Sequence, residues 1–292
     1  MGIFLNSTAP FEAYKITALD KYFVDKTMLI EELIPSIGRE QRFLCITRPR
    51  RFGKTVMANM VASYFGKAID SSFVFEHLAI AKSPVYEEYI NKYDVIYIDF
   101  SRLPENCQTY EEYINRIKTG IKEDLLEEFS ELELKEEMSL WDILAKIFQK
   151  TNRKFMFIMD EWDAVFHMPF ISQKERQEYL LFLKNLLKDQ VYVELAYMTG
   201  ILPIAKYSAA SELNMFVEYN MATRERFSSY FGFSEEEVDK LFQIYSETTI
   251  RPRITRHDLK IWYDGYCTAS GEQLYNPRSI ICALSDNQLG SY

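Results

Sequence analysis

An apolar run, Phe43 to Thr47, enters the loop Arg48-Pro49-Arg50-Arg51-Phe52-Gly53-Lys54-Thr55, which passes at once into an amphipathic segment. In that segment Val56, Met57, Met60, Val61, Tyr64 and Phe65 recur at helical spacing, and Gly66 can end the helix. Strand, tight loop and helix in immediate succession leave few folds open, because a buried strand needs a helix to cover it. Three more apolar runs, Val95 to Phe100, Phe155 to Met159 and Tyr192 to Met198, alternate with helical stretches. The fold class expected is therefore α/β, a mostly parallel sheet flanked by helices. Capping-box patterns open helices at Thr109 with Glu112, Ser139 with Asp142, Ser172 with Glu175, and Ser234 with Glu237. The strand pattern stops near Ala222, which predicts a core over residues 1–222 and a small helical, lid-like segment over residues 223–292.

The loop approximates the pattern G-x-x-x-x-G-K-[ST] of P-loop NTPases, with Arg48 in place of the first glycine. Gly53 lets the backbone approach a phosphate, Lys54 supplies a point charge, and the Thr55 hydroxyl can ligate Mg²⁺. Backbone N–H groups at the helix start, with the helix dipole behind them, complete an anion site. Pro49, Arg50, Arg51, Phe52, Gly53, Lys54, Thr55 and Val56 are the expected nucleotide-binding residues. Arg48, Arg50 and Arg51 either add positive potential at the phosphates or are solvated loop charges.

Such a loop needs a carboxylate at the end of a neighbouring strand. Phe155 to Met159 followed by Asp160-Glu161 fits, with Asp160 in the Mg²⁺ shell and Glu161 orienting the attacking water. The same pair could instead cap a helix. Thr199, ending the next strand before Gly200, is the expected polar contact to the γ-phosphate or the water. The catalytic set is thus Glu161, Lys54 and Thr199, and the metal set Thr55 and Asp160.

Other signals lead elsewhere. Asn91-Lys92-Tyr93-Asp94 matches a guanine-reading motif but precedes the acidic strand, so it reads as chance. Asp160-Glu161-Trp162-Asp163 resembles a helicase box without the matching loop glycines. His77, His167 and His257 show no ligand spacing. The acid-rich stretch Glu123 to Glu137 reads as a solvated face. Arg251, Arg253, Arg256 and Lys260 form a basic cluster, read as solvated unless it meets nucleic acid. The net charge of −9 argues against broad nucleic-acid binding. No secretory signal or membrane-length apolar run is present, Ser7 is misplaced for a myristoylation motif, and four scattered cysteines favour a reducing cytoplasm.

With these residues in place, the chain resembles the bacterial and archaeal AAA-ATPase-like family. The matching segments are Tyr22 to Thr27, Arg48 to Thr55, Asp160 to Asp163, Thr199-Gly200, Phe231 to Phe233, Tyr263 to Tyr266 and Tyr275 to Pro277. The arginine at position 48 looks like that family's own form of the loop. The resemblance implies ATP and Mg²⁺ as cofactors, and sets Asp25-Lys26-Thr27 near the nucleotide base. Many members carry a C-terminal PD-(D/E)XK nuclease-type domain. This sequence stops soon after Asn276-Pro277, so an ATPase fragment or a truncated member is expected, with no nuclease activity predicted for this chain. The expected function is ATP hydrolysis by in-line attack of water, with Arg224 and Arg226 as candidate charge-stabilising arginines. An ATP-holding switch for a partner or nuclease domain is the alternative, and a phosphotransferase ranks last. Nucleic acid and a second copy of the chain are the other partners considered.

Overall fold

The computed structural model describes residues 2–207 and 212–292. Five strands form one sheet: β1 (Phe43–Thr47), β2 (Asp94–Asp99), β3 (Phe155–Asp160), β4 (Val193–Gly200) and β5 (Val217–Tyr219). Their spatial order is β2-β3-β4-β1-β5, and every pair is parallel. The α/β expectation therefore holds, and the four anticipated strands lie within a residue or two of their sequence bounds.

Period-two alternation explains how near-continuous apolar runs serve both faces. Phe43, Cys45, Ile96, Ile98, Phe157 and Met159 point to one core, shared with the helices Tyr110–Glu128, Leu140–Thr151 and Gln173–Leu187. Leu44, Ile46, Val95, Met156, Ile158 and Tyr197 point to the other, against the helices Ala9–Ala18 and Lys54–Phe65. Each buried Leu, Ile or Phe contributes about 1.5–3 kcal/mol relative to exposure. Reciprocal capping boxes start the helices at Thr109, Ser172 and Ser234, as expected. Ser139 also caps its helix by accepting from the Asp142 N–H, but Asp142 bonds the Ser139 hydroxyl rather than closing the box through the backbone.

The strand pattern does not stop at Ala222. β6 (Asp264–Cys267) and β7 (Gln273–Tyr275) pair antiparallel beyond it, alongside the helices Glu235–Thr248, Arg256–Tyr263 and Pro277–Asp286. In β6 Asp264 is half-buried and the other three residues are exposed, and in β7 only Leu274 and Tyr275 are buried, so no alternation marked them in sequence. A third core gathers Phe233, Val238, Leu241, Tyr245, Leu259, Tyr275 and Ile280, together with Tyr22 from the N-terminal region. The acid-rich stretch is helical as far as Glu128, and its Asp124 accepts the N–H groups of Ile3, Phe4 and Leu5 at 3.2, 2.7 and 3.0 Å, tying down the N-terminal residues. Among the described residues no helix is long and apolar enough to cross a membrane.

Candidate functional site

The site lies at the C-terminal ends of β1, β3 and β4, where loops converge over a parallel sheet. The ladder between β1 and β4 runs to Thr47 opposite Gly200, and Arg48 N–H extends it to the Gly200 carbonyl at 3.1 Å. The chain then turns through two left-handed residues, Arg51 at φ 69° and Gly53 at φ 84°. A Cβ at Gly53 would meet no atom within 4 Å, so glycine is required there by backbone conformation rather than by space. Gly53 leads directly into the 12-residue helix Lys54–Phe65, whose first turn has no side-chain cap.

Lys54 folds back under the loop. Its Nζ is buried, donating to the Pro49 carbonyl at 3.3 Å and lying 3.7 Å from Glu161 Oε1. Thr55 is exposed beside it. Asp160 is buried at the end of β3, and the Thr199 hydroxyl of β4 donates to its Oδ1. Burial raises the Asp160 carboxyl above its usual range, while hydrogen bonds from Thr199 and Thr55 and the Lys54 charge pull the other way. Glu161 follows in a left-handed conformation at φ 52°. Burial raises its carboxyl too, Lys54 opposes this, and the charges of Asp160, Asp163 and Asp99 add to it.

The sequence-selected residues Lys54, Thr55, Asp160, Glu161 and Thr199 thus come together. Arg48 does not join them. It is 1% exposed, and its guanidinium donates to the Thr47 carbonyl at 2.7 Å, the Tyr219 carbonyl at 3.0 Å and Ser228 Oγ at 3.3 Å. Burial lowers its pKa to about 10. It is neither a solvated loop charge nor a free phosphate ligand, but a strut joining β1, β5 and the turn at Ser228. Arg50 and Arg51 are exposed.

An apolar cavity of about 240 Å³ opens beside Phe52, Gly53 and Val56, lined also by Ile16, Phe23 and Phe233. Lys26 lies at its wall, with Nζ donating to the Ser229 carbonyl at 2.6 Å and to Glu237 Oε1 at 2.5 Å. Asp25 and Thr27 are engaged locally: Asp25 accepts from Thr27 N, Thr27 Oγ1 and Ala79 N at 2.8, 2.7 and 2.6 Å.

Two residues carry site contacts that the sequence did not assign to them. Asp99 ends β2 directly opposite Asp160, in a small cavity shared with Thr55, Arg102 and Arg116. Its signal was available, since Val95-Ile96-Tyr97-Ile98-Asp99 repeats the apolar-run-then-acid form of β3. Asn276 donates to a loop carbonyl, a contact no local pattern announces.

The signals set aside have structural roles. Asn91 accepts from Ser71 Oγ at 2.8 Å and donates to Asp70 at 3.1 Å, a turn contact remote from any base-reading geometry. In the basic cluster, Arg256 pairs with Glu235 and Asp239, and Lys260 with Glu235 at 2.7 Å, while Arg251 and Arg253 are exposed. Arg226 is paired with Glu32 at 3.3 Å.

Fold, strand order and loop together define a P-loop NTPase of the α/β class. The family model described as Predicted AAA-ATPase matches residues 11–210, and the chain belongs to that AAA-ATPase-like family. A curated relative, an uncharacterized protein in the vnfD 5′ region of Azotobacter chroococcum mcd 1, is 23% identical over 282 residues, or 94% of this chain. The chain spans 50% of that protein's length. Among solved structures, a Walker-type ATPase of Pyrococcus abyssi superposes at TM-score 0.45 with 13% identity, covering 82% of this chain and 62% of that one. The Orc1 protein of Aeropyrum pernix in complex with DNA gives TM-score 0.43 and 12% identity, covering 95% and 66% respectively.

Proposed function

We propose that this protein hydrolyses ATP with Mg²⁺ by in-line attack of water on the γ-phosphate. The observation that carries the reading is the convergence of Lys54, Thr55, Asp160, Glu161 and Thr199 at three adjacent strand ends. Lys54, already lying beneath the Pro49 carbonyl, would face the β- and γ-phosphates. Backbone N–H groups of residues 50–56 would cradle the phosphates at a helix start. Glu161, half-buried with its carboxyl raised, is the candidate to hold and polarise the water.

The donor set suits magnesium. Thr55 and Asp160 offer oxygen ligands, and among the described residues no group of three or more His, Cys, Asp or Glu gathers into a protein-only cage. Mg²⁺ is commonly held by one or two protein oxygens with phosphate and water completing the shell. It would supply charge neutralisation at the phosphates. The bond from the Thr199 hydroxyl to Asp160 supports a role in orienting that carboxylate. The apolar cavity beside Phe52 and Val56 would suit a nucleobase, and Lys26 at its wall supports assigning the Asp25-Lys26-Thr27 segment to the base side. We place the boundary between core and C-terminal segment near Ala222, and the protein in the cytoplasm.

The test is steady-state phosphate release from ATP and Mg²⁺, with and without DNA, for the wild type, Glu161→Gln and Lys54→Ala. Release that Glu161→Gln abolishes while retaining ATP supports hydrolysis with Glu161 as the base. ATP binding without release from the wild type favours the second reading, a nucleotide-held switch. The contact of Asn276 with the loop is what favours that reading. Absence of nucleotide binding would sink both.

A further inference from the structure

We infer that Asp163 is a positioning residue that fixes the turn carrying Glu161 against the end of β4 carrying Thr199. The inference rests on the hydrolytic reading above. Asp163 is 1% exposed, and its carboxylate accepts backbone N–H groups from the far side of the site. Ile201 N lies 3.2 and 3.1 Å from its two oxygens, and Leu202 N lies 2.9 Å from Oδ2. A single carboxylate therefore closes the two residues that follow Thr199-Gly200 onto the turn that follows Asp160-Glu161.

Three further contacts make the junction rigid. Trp162 N–H donates to the Thr199 carbonyl at 3.0 Å, and the Trp162 carbonyl accepts from Tyr179 Oη at 2.8 Å. The indole lies flush on Gly200, where a Cβ would fall 2.5 Å from the ring and 2.8 Å from Asp163 Oδ1. Glycine at position 200 is therefore required by close approach. Glu161 needs this rigidity, because a left-handed glutamate persists only where its surroundings over-determine it. With the turn loosened, Glu161 would relax toward ordinary backbone angles and its carboxylate would leave the line of attack. Among the described residues Asp163 makes no hydrogen bond to the phosphate loop, which meets this junction through the backbone bond from Arg48 N–H to the Gly200 carbonyl at 3.1 Å, and the loop would keep its nucleotide.

The experiment measures kcat, nucleotide Kd and thermal midpoint for the wild type, Asp163→Asn and Gly200→Ala. The first variant removes the charge and turns one of the two acceptor oxygens into a donor beside the Ile201 and Leu202 N–H groups; the second wedges the junction apart without removing a polar group. A positioning role predicts kcat down by about tenfold or more in both, as misplacement of a catalytic group costs. It also predicts Kd within about threefold of wild type, the pattern of an interaction needed only for the chemical step. Unchanged kcat in a folded Asp163→Asn overturns the proposal. Loss of folding in both variants, or loss of nucleotide binding together with turnover, makes Asp163 an anchor of the fold and also overturns it. A wild type that binds ATP without turnover removes the hydrolytic reading and this role together, whereas an active wild type with an indifferent Asp163→Asn removes this role alone.

Discussion

The side-chain amide of Asn276 reaches across 226 residues of chain to donate to the carbonyl of Arg50 at 3.2 Å. Its oxygen meanwhile accepts Ser279 N–H at 3.2 Å and caps the helix Pro277–Asp286. The phosphate loop leans on the same region through Phe52, whose ring packs edge-on against Tyr266 with centroids 4.6 Å apart. A Cβ at Gly232 would come within 3.1 Å of that ring. The loop is thus held from the C-terminal segment as well as from β1.

This division of labour within Asn276 can be separated. Asn276→Asp keeps a good N-cap but loses the donor to Arg50, so nucleotide Kd should rise several-fold with little change in thermal midpoint. Asn276→Ala loses both, and its missing cap should cost about 1 kcal/mol of stability in addition. Thermal unfolding and titration with a fluorescent ATP analogue measure the two effects. An Asn276→Asp protein that binds nucleotide as tightly as wild type would show that the Arg50 contact is incidental to the loop.

Gly53→Ala should be folded but poor at binding. The position has open space, so the penalty is conformational, about 1 kcal/mol or somewhat more for a left-handed alanine. Relief of that strain would rotate the Gly53-Lys54 peptide, and nucleotide affinity should fall by about tenfold or more, as for a lost charge-assisted contact. Isothermal titration decides it, and unchanged affinity would argue that residues 50–53 do not form the cradle.

Arg48 and Arg50 should behave in opposite ways despite sitting two residues apart. Arg48→Ala strands the Thr47 and Tyr219 carbonyls in a buried place and should cost about 2–4 kcal/mol. Arg50→Ala alters an exposed side chain and should change stability by less than about 0.5 kcal/mol. Urea denaturation of the two variants is the check.

That contrast shows where sequence reading reached and where it ended. The loop, its helix and the Asp160-Glu161 step were legible because each is encoded in a short contiguous stretch with its own periodicity. The partners of Arg48 lie about 170 and 180 positions away, and nothing local distinguishes a buried arginine from an exposed one. β6 and β7 escaped for a related reason. A short hairpin in which most side chains face solvent carries no apolar alternation to read, and β5, at three half-buried residues, carries little more. Asp163 was visible as a member of the acidic box, but its hydrogen bonds are to backbone amides, which no side-chain pattern reports.

The last prediction concerns acid stability and turns on Asp94, 5% exposed at the start of β2. Its carboxylate is met by Arg153 at 2.8 and 2.6 Å, by Lys67 at 2.8 Å and by the Asn6 amide at 2.8 Å. Glu128 lies 3.6 Å from Lys67 and 3.4 Å from Arg153, and Lys92 and the Lys154–Glu194 pair line the same cavity as Asp94. Burial alone would raise the Asp94 carboxyl, but the bonds from Arg153, Asn6 and Lys67 outweigh it and the net shift is downward. A folded-state value below the unfolded one of about 3.9 means the folded protein binds the proton less readily. The stabilisation from this group is therefore complete above about pH 4 and is lost as the pH falls through the folded-state value. Asp94→Asn should be less stable than wild type at pH 7 by about 1–3 kcal/mol, the cost of a charged hydrogen-bond partner in a buried setting. As the pH falls below about 4 the wild type should lose that advantage while the variant has none to lose, so the two stabilities should converge. Urea titrations at pH 7 and in that acid range measure the gap, and a gap that stays constant would mean that Asp94 is not the group whose ionisation holds Lys67 and Arg153 to the edge of the sheet.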